Sequence, residues 1–175
     1  AATARRSGEG SSGMVSSAHP LATEAGLEML RAGGNAFDAA VAVAAALNVV
    51  EPAMSGLGGY GTILVYDANA QRVQFLNSSG RIPMGVRSDF FRAPVPNYLA
   101  NRVSAKAVST PGNLHAWEAL SKKHGRLKWP QLFAPAIRLA KQGFVLGTGG
   151  ASTIQAAFSD FPDHAKRIFG NDGKP

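Results

Sequence analysis

The chain has 175 residues, which is enough for one ordinary domain with a single core and too few for two. Its 45% hydrophobic and 17% charged residues are typical of a globular protein and exclude a disordered or fibrous chain. The formal net charge of +7 comes from basic residues scattered singly or in pairs, which favours a solvated surface over a nucleic-acid site.

Metal, cofactor and membrane functions find no support in the residue pattern. The absence of cysteine excludes disulfides, a thiolate zinc site and a cysteine nucleophile within the chain. The four histidines are far apart and lack metal-ligand spacing. The longest apolar run, residues 39–50, is shorter than the roughly 20 residues that a transmembrane helix needs. No hydrophobic leader segment is visible either, so the compartment stays open.

The first elements predicted in chain order are a mobile lead-in, a strand and a helix. Residues 1–13, rich in Gly, Ser and Thr, predict an extended lead-in, and order is expected from residue 14. The short segment 14–17 predicts a strand. An amphipathic helix follows, with Pro20 in its first turn and Gly33-Gly34 at its end.

A second helix is predicted directly after this glycine pair. Asn35 is expected to cap it, with Asp38 in the first turn facing the positive helix end. The alanine-rich run 39–50 has hardly a polar group, which predicts a helix buried on all sides with close approach of neighbouring backbones.

Four glycines among residues 55–61 precede a β-hairpin predicted over 62–76 with its turn at 67–70. We expect these glycines to supply positive φ angles and to allow another segment or a ligand to approach closely. The segment leads into a strand and no Lys-Ser/Thr follows it, so it does not match a phosphate-binding loop.

The second half of the chain predicts a loop and then mainly helices. Prolines near 90–98 indicate irregular structure. Helices are expected over 114–123, from 129 to a stop at Gly143, and over 152–161.

Few side chains outside these elements offer chemistry. Thr110 has a candidate nucleophilic hydroxyl, but a threonine before proline is more simply a cap or a turn. Arg81, on a loop among small residues, could hold a carboxylate through two hydrogen bonds, with a solvated loop arginine as the simpler alternative. Residue chemistry alone therefore predicts an α/β domain without a complete catalytic set.

Several motifs follow one another along the chain: Gly13-Met14-Val15, Arg31-Ala32-Gly33-Gly34-Asn35-Ala36-Phe37-Asp38-Ala39-Ala40-Val41, Gly56-Leu57-Gly58-Gly59, Thr110-Pro111-Gly112, and Pro135-Ala136-Ile137-Arg138-Leu139-Ala140 before Gly143-Phe144. In this order they resemble the γ-glutamyltransferase (γ-glutamyltranspeptidase) family, which includes cephalosporin acylases and oxamate-type amidohydrolases. The resemblance covers nearly the whole chain.

The resemblance implies the fold of an N-terminal-nucleophile hydrolase, an α/β (α+β) sandwich with αββα layers, of which residues 14–175 would form the N-terminal part of the large subunit, incomplete at its C-terminus. It also implies a precursor that cleaves itself, so that a small subunit begins with the nucleophilic threonine. The family's Thr-Thr-His-type stretch is absent here. The resemblance therefore assigns no catalytic residue to this chain, and gives it scaffold and substrate binding.

The same resemblance points to the substrate-binding residues and to the partners. Family members carry Phe-Arg-Glu-x-Ala-Pro after the second hairpin strand, with the arginine on the substrate α-carboxylate. Alignment on Pro83 places Ser79 at the position of that arginine, and Arg81 two residues later. Both are candidate binding residues. The expected partners are the small subunit and a γ-glutamyl amide substrate, without cofactor. Family members are often periplasmic or secreted.

Two alternatives remain open because the expected arginine is displaced. One is a related amidohydrolase or acylase with another acyl group, and the other is a binding domain without catalysis.

Overall fold

The computed structural model describes residues 8–92, 101 and 107–175, and within them the fold is α+β. Its elements, in chain order, are α1 (Pro20–Arg31), α2 (Ala36–Val50), β1 (Thr62–Asp67), β2 (Arg72–Asn77), α3 (Asn113–His124), α4 (Trp129–Gln142), α5 (Thr148–Ala157), a 3₁₀ turn (Phe158–Asp160) and α6 (Asp163–Phe169). None of the helices in the described ranges has the length and apolar character needed to cross a membrane.

The chain divides into two compact units, which are described separately. The first combines the residues up to Ser55 with His124–Pro175, and the second consists of Gly56–Lys123.

The core of the first unit lies where α1, α2 and α4 pack against one another. Its centre is formed by the small side chains of Ala22, Ala25 and Ala46 together with Val50. At Gly26 the helices come so close that an added Cβ would lie 2.7 Å from Val43 Cγ2. The prediction that residues 39–50 are buried on all sides is wrong in part, because Ala40 is exposed and five further residues of the run are half-buried. The predicted close approach of neighbouring backbones is confirmed, and burial of small apolar groups in close contact stabilises this core.

The helix ends of the first unit follow the local signals in the sequence. Pro20 occupies the first turn of α1, and His19 caps it by accepting a hydrogen bond from Leu21 N. Gly33, after α1, has φ +86°, and Gly143, after α4, has φ +75°. Both backbone conformations are costly for any residue with a Cβ, which is why glycine ends these helices.

The segment 34–38 joins the start of α2 to the backbone that precedes α4. Asn35 accepts hydrogen bonds from Phe37 N and Asp38 N, and Asp38 Oδ2 accepts one from Asn35 N at 2.9 Å, which completes a capping box. The Asp38 carboxylate is fully buried and also accepts from Arg126 N at 3.0 Å and from Leu127 N at 3.4 Å. Asp38 therefore does more than complement the helix dipole, because it fixes a loop 88 residues away in sequence.

The second unit is built around the hairpin. β1 and β2 pair antiparallel, with Thr62 opposite Asn77 and Asp67 opposite Arg72. Asp67 Oδ1 accepts from Asn69 N and Ala70 N, and this closes the turn. One face of the hairpin carries four exposed apolar side chains that lie opposite each other in pairs, namely Leu64 with Phe75 and Tyr66 with Val73. The predicted hairpin is confirmed.

The prediction of a strand over residues 14–17 is wrong. A strand is defined by its pairing, and none of the described residues pairs with this segment. Ser17 instead turns toward α1, where its hydroxyl donates to His19 O at 2.9 Å and contacts Thr23 Oγ1 at 2.8 Å.

Other boundaries in the predicted elements also differ. Helix α5 begins at Thr148, four residues before the predicted start at residue 152, and changes to a 3₁₀ turn after Ala157. Helix α6 was not predicted. Residues 8–13 contain neither helix nor strand, as expected for the lead-in, whereas residues 1–7 and the proline-rich positions 93–98 lie outside the described residues.

Candidate functional site

The glycine-rich segment 56–61 lies in the second unit, directly before β1. It contains a tight turn in which Gly59 N donates to Gly56 O at 3.0 Å. The expected positive φ angles are wrong, because the glycines with positive φ in the described part of the chain are Gly33, Gly143 and Gly173. The expected close approach is confirmed at Gly59, where an added Cβ would lie 3.1 Å from Asn113 Nδ2.

Ser78, the residue after β2, connects this segment to the start of α3. Its backbone N donates to Gly61 O at 3.0 Å, and its hydroxyl oxygen accepts from Gly61 N at 2.8 Å. As a donor, the hydroxyl has two acceptors within reach: Gly61 O, 2.8 Å from Ser78 Oγ, and Asn113 Oδ1, 3.3 Å from it. Ser78 is only 7% exposed, so these partners are what satisfies its polar groups.

Asn113, the first residue of α3, holds the other side of the same network. Its side-chain Nδ2 donates to Gly56 O at 3.3 Å, and its backbone N donates to Gly59 O at 3.3 Å. Gly112 N donates to the same carbonyl at 3.1 Å. Three segments that are distant in sequence are thereby joined through backbone groups and two side chains.

Two glycines allow the backbones to cross at this point. An added Cβ at Gly112 would lie 1.8 Å from Ser78 O, well inside any possible contact distance. At Gly80 an added Cβ would lie 2.6 Å from Thr110 O. The segment 78–80 is therefore packed against 110–112 so tightly that neither glycine can be replaced without moving the backbone.

The two candidate binding residues follow directly from this crossing. Ser79 is exposed, and its N donates to Asn77 Oδ1 at 2.9 Å. Arg81 is exposed, and none of the described residues forms a hydrogen bond or an ion pair with its guanidinium. Ser79 and Arg81 lie in one short loop, residues 79–81. The residues on either side of Ser79 are in close contact with Gly112 and Thr110.

This arrangement is suited to holding an anion. A hydroxyl and a free guanidinium lie two residues apart, and Arg can bind a carboxylate through two parallel hydrogen bonds. Clusters of three or more His, Cys, Asp or Glu that could hold a metal are not found in the described ranges. Thr110 lies in the irregular segment directly before α3, and its backbone oxygen is packed against Gly80.

Sequence reasoning missed Ser78, Asn113 and the full role of Asp38. Each of these side chains acts across 17 or more residues, and no local spacing reveals such a partner. The one signal available was the glycine at position 112, since an isolated glycine at a helix start can mark a close crossing of backbones.

Comparison with known proteins decides the family. The sequence model described as Gamma-glutamyltranspeptidase matches residues 22–175. The chain belongs to the γ-glutamyltranspeptidase family. A relative within it, the glutathione hydrolase proenzyme of Bacillus subtilis (strain 168), is 40% identical over 176 residues, which cover 95% of this chain and 29% of that protein.

Solved structures of the γ-glutamyltranspeptidase family agree with this assignment. The chain is similar to the γ-glutamyltranspeptidase of Helicobacter pylori, with a TM-score of 0.84 and 32% identity over 95% of this chain and 48% of that one. It is also similar to a cephalosporin acylase from Bacillus halodurans, with a TM-score of 0.72 and 35% identity over 85% of this chain and 28% of that one.

These matches confirm the fold class as that of the N-terminal-nucleophile hydrolases and place the chain in the large-subunit region of the family. The chain spans 29% of the length of the Bacillus subtilis relative.

Proposed function

We propose that this chain is the scaffold and substrate-pocket portion of a self-processing γ-glutamyltransferase or hydrolase. In this proposal the nucleophile is the N-terminal threonine of a small subunit from the same precursor. The threonine's own α-amine serves as base, and the acyl group passes through an ester on the threonine hydroxyl to water or to an amine. The acyl donor is a γ-glutamyl amide of the glutathione type, and no cofactor is required.

The observation that carries the proposal is the family match over residues 22–175. Names of relatives support the substrate class, because the Bacillus subtilis protein is called a glutathione hydrolase proenzyme. The word proenzyme in that name also supports processing into subunits. Residue chemistry agrees, since the described residues contain a held loop with an exposed arginine but no activated nucleophile.

In the proposed site, Arg81 binds the α-carboxylate of the γ-glutamyl group and Ser79 donates a second hydrogen bond. Ser79 occupies the position at which the family motif has arginine, so the guanidinium comes from a residue two positions later. A flexible arginine side chain reaches several ångströms from its Cα, which allows the guanidinium of Arg81 to serve from two positions further along the loop.

A second candidate follows from the same displacement. The similarity to a cephalosporin acylase favours a related acylase of the family with a different acyl group. In that case Arg81 would hold a carboxylate at another position of the acyl chain. A binding domain without catalysis is the remaining alternative, and it would keep the scaffold alone.

The experiment is a kinetic comparison on protein purified from cells that express the complete gene. A chromogenic γ-glutamyl anilide and an amide of a dicarboxylic acid lacking the α-amino group are offered as acyl donors. Preference for the γ-glutamyl anilide supports the first proposal, and preference for the other amide supports the acylase. Turnover of neither substrate by folded protein would favour the binding domain.

The role of Arg81 is tested in the same assay with R81A. Loss of a charge-assisted hydrogen bond to the substrate predicts a KM for the acyl donor that rises about 10- to 100-fold, with kcat little changed. R167A is the matched control, because Arg167 is an exposed arginine of α6 whose guanidinium binds to none of the described residues. Equal KM values for the two variants would refute the assignment of Arg81.

A further inference from the structure

We propose that Ser78 is a positioning residue, which together with Asn113 fixes residues 79–81 in the orientation that binds the acyl donor. This inference rests on the proposed function of Ser79 and Arg81 as binding residues. Ser78 itself is buried, so in this proposal its influence is exerted through the backbone that follows it.

The side chains of Ser78 and Ser79 differ in exposure. Ser78 is buried and Ser79 is exposed, as successive residues of an extended segment are when their side chains point to opposite sides. The Ser78 hydroxyl is therefore available to the interior, where Gly61 and Asn113 take it up. Its neighbour is left to face outward.

The Ser78 hydroxyl has several hydrogen-bond partners. One hydroxyl accepts from Gly61 N at 2.8 Å and offers its hydrogen to Gly61 O at 2.8 Å or Asn113 Oδ1 at 3.3 Å. In a nearly buried site, polar groups that lose such a partner remain unsatisfied. Alanine has a methyl group where serine has a hydroxymethyl group, so the substitution would leave Gly61 N and Asn113 Oδ1 without their hydrogen-bond partner.

The backbone on either side of Ser79 is confined by close contacts with residues 110–112. Ser78 O lies against Gly112 with no room for a Cβ, and an added Cβ at Gly80 would also lie too close to Thr110 O, at 2.6 Å. In this proposal, the hydrogen bonds of the Ser78 hydroxyl oppose a rotation of residues 79–81 about this crossing. A small rotation here displaces the Arg81 guanidinium more, because that group lies at the end of a long side chain.

The substitution S78A separates positioning from folding. Ser78 N still donates to Gly61 O in this variant, so the end of the hairpin ladder is kept. We expect the KM for the acyl donor to rise about 10-fold with kcat little changed, because misplacement of a binding group weakens ground-state and transition-state binding alike. S152A is the matched control, since Ser152 is an exposed serine of α5 whose hydroxyl bonds to none of the described residues.

A double-mutant cycle shows whether Ser78 acts through Arg81. If it does, S78A in an R81A background raises KM less than twofold further, because the group that it positions is already gone. An unchanged 10-fold effect in that background would overturn the proposal. So would an S78A protein with the KM of the unsubstituted enzyme.

Amide hydrogen exchange makes the test independent of any activity. We expect peptides covering residues 77–82 to exchange about 10-fold faster in S78A than in the unsubstituted protein or in S152A. Faster exchange in a protein that turns over no amide would support positioning while the proposed function fails. Unchanged exchange would overturn positioning whatever the activity.

Discussion

Replacement of Asp38 by alanine should destabilise the protein strongly, although Asp38 is not a site residue. Its carboxylate is fully buried, and it accepts hydrogen bonds from Asn35 N and Arg126 N at 2.9 and 3.0 Å, with a longer one from Leu127 N at 3.4 Å. Two good bonds to a charged acceptor at about 1.5 kcal/mol each give a loss of about 3 kcal/mol. Folded proteins have about 5–15 kcal/mol of stability in total, so this is a large fraction.

The comparison with D38N refines the argument. Asparagine has the same shape and keeps one acceptor oxygen, which can take the position of Oδ2 and retain the two short bonds. Its NH₂ group then faces Leu127 N, donor against donor, and both bonds lose their charge assistance. We expect a loss of about 1 to 2 kcal/mol, smaller than that for D38A.

The measurement is urea unfolding followed by circular dichroism, with the free energy of unfolding obtained by linear extrapolation. D163A is the matched control, because Asp163 is an exposed first-turn aspartate of α6 whose contribution through the helix dipole should not exceed about 1 kcal/mol. If D38A loses no more than D163A, the buried carboxylate does not hold the loop at 126–127, and the reasoning is refuted.

Two further predictions concern the second unit. G112A should lose at least about 3 kcal/mol of unfolding free energy in the same assay, because its Cβ would collide with Ser78 O. G56A is the control and should change stability by less than about 0.5 kcal/mol, because nothing lies within 4 Å of its added Cβ. Similar losses in both variants would contradict the close crossing of residues 78–80 and 110–112. The hydrogen bond and charge of Lys122 lower the pKa of Glu118, so any stability from this pair is present above the ordinary pKa and is lost as pH falls through the lowered one. An NMR titration of K122A should show the Glu118 pKa rise toward its ordinary value, and an unchanged pKa would contradict this cause.

Helices α1, α2 and α4 of the first unit could be predicted because their signals are local. Pro20, Gly33 and Gly143 bound α1 and α4 through conformations that the neighbouring residues alone require. The capping box at Asn35 likewise depends on residues three positions apart. A sequence shows such features directly.

The features that could not be predicted depend on partners distant in sequence. A strand over 14–17 needs a paired neighbour, and apolar residues alone do not supply one. Ser78 acts on residues 17 and 35 positions away, and its role becomes visible only when Gly61 and Asn113 are seen beside it. The glycines of 56–61 illustrate the same limit, since they serve close approach at Gly59 rather than positive φ.

The most direct test of the central claim is the intact mass of the protein isolated from cells that express the complete gene, together with the N-terminal sequence of each polypeptide. The account predicts a complex of two polypeptides, one containing this sequence and the other beginning with threonine. A single uncleaved polypeptide in folded protein would contradict it and leave the binding domain as the better explanation.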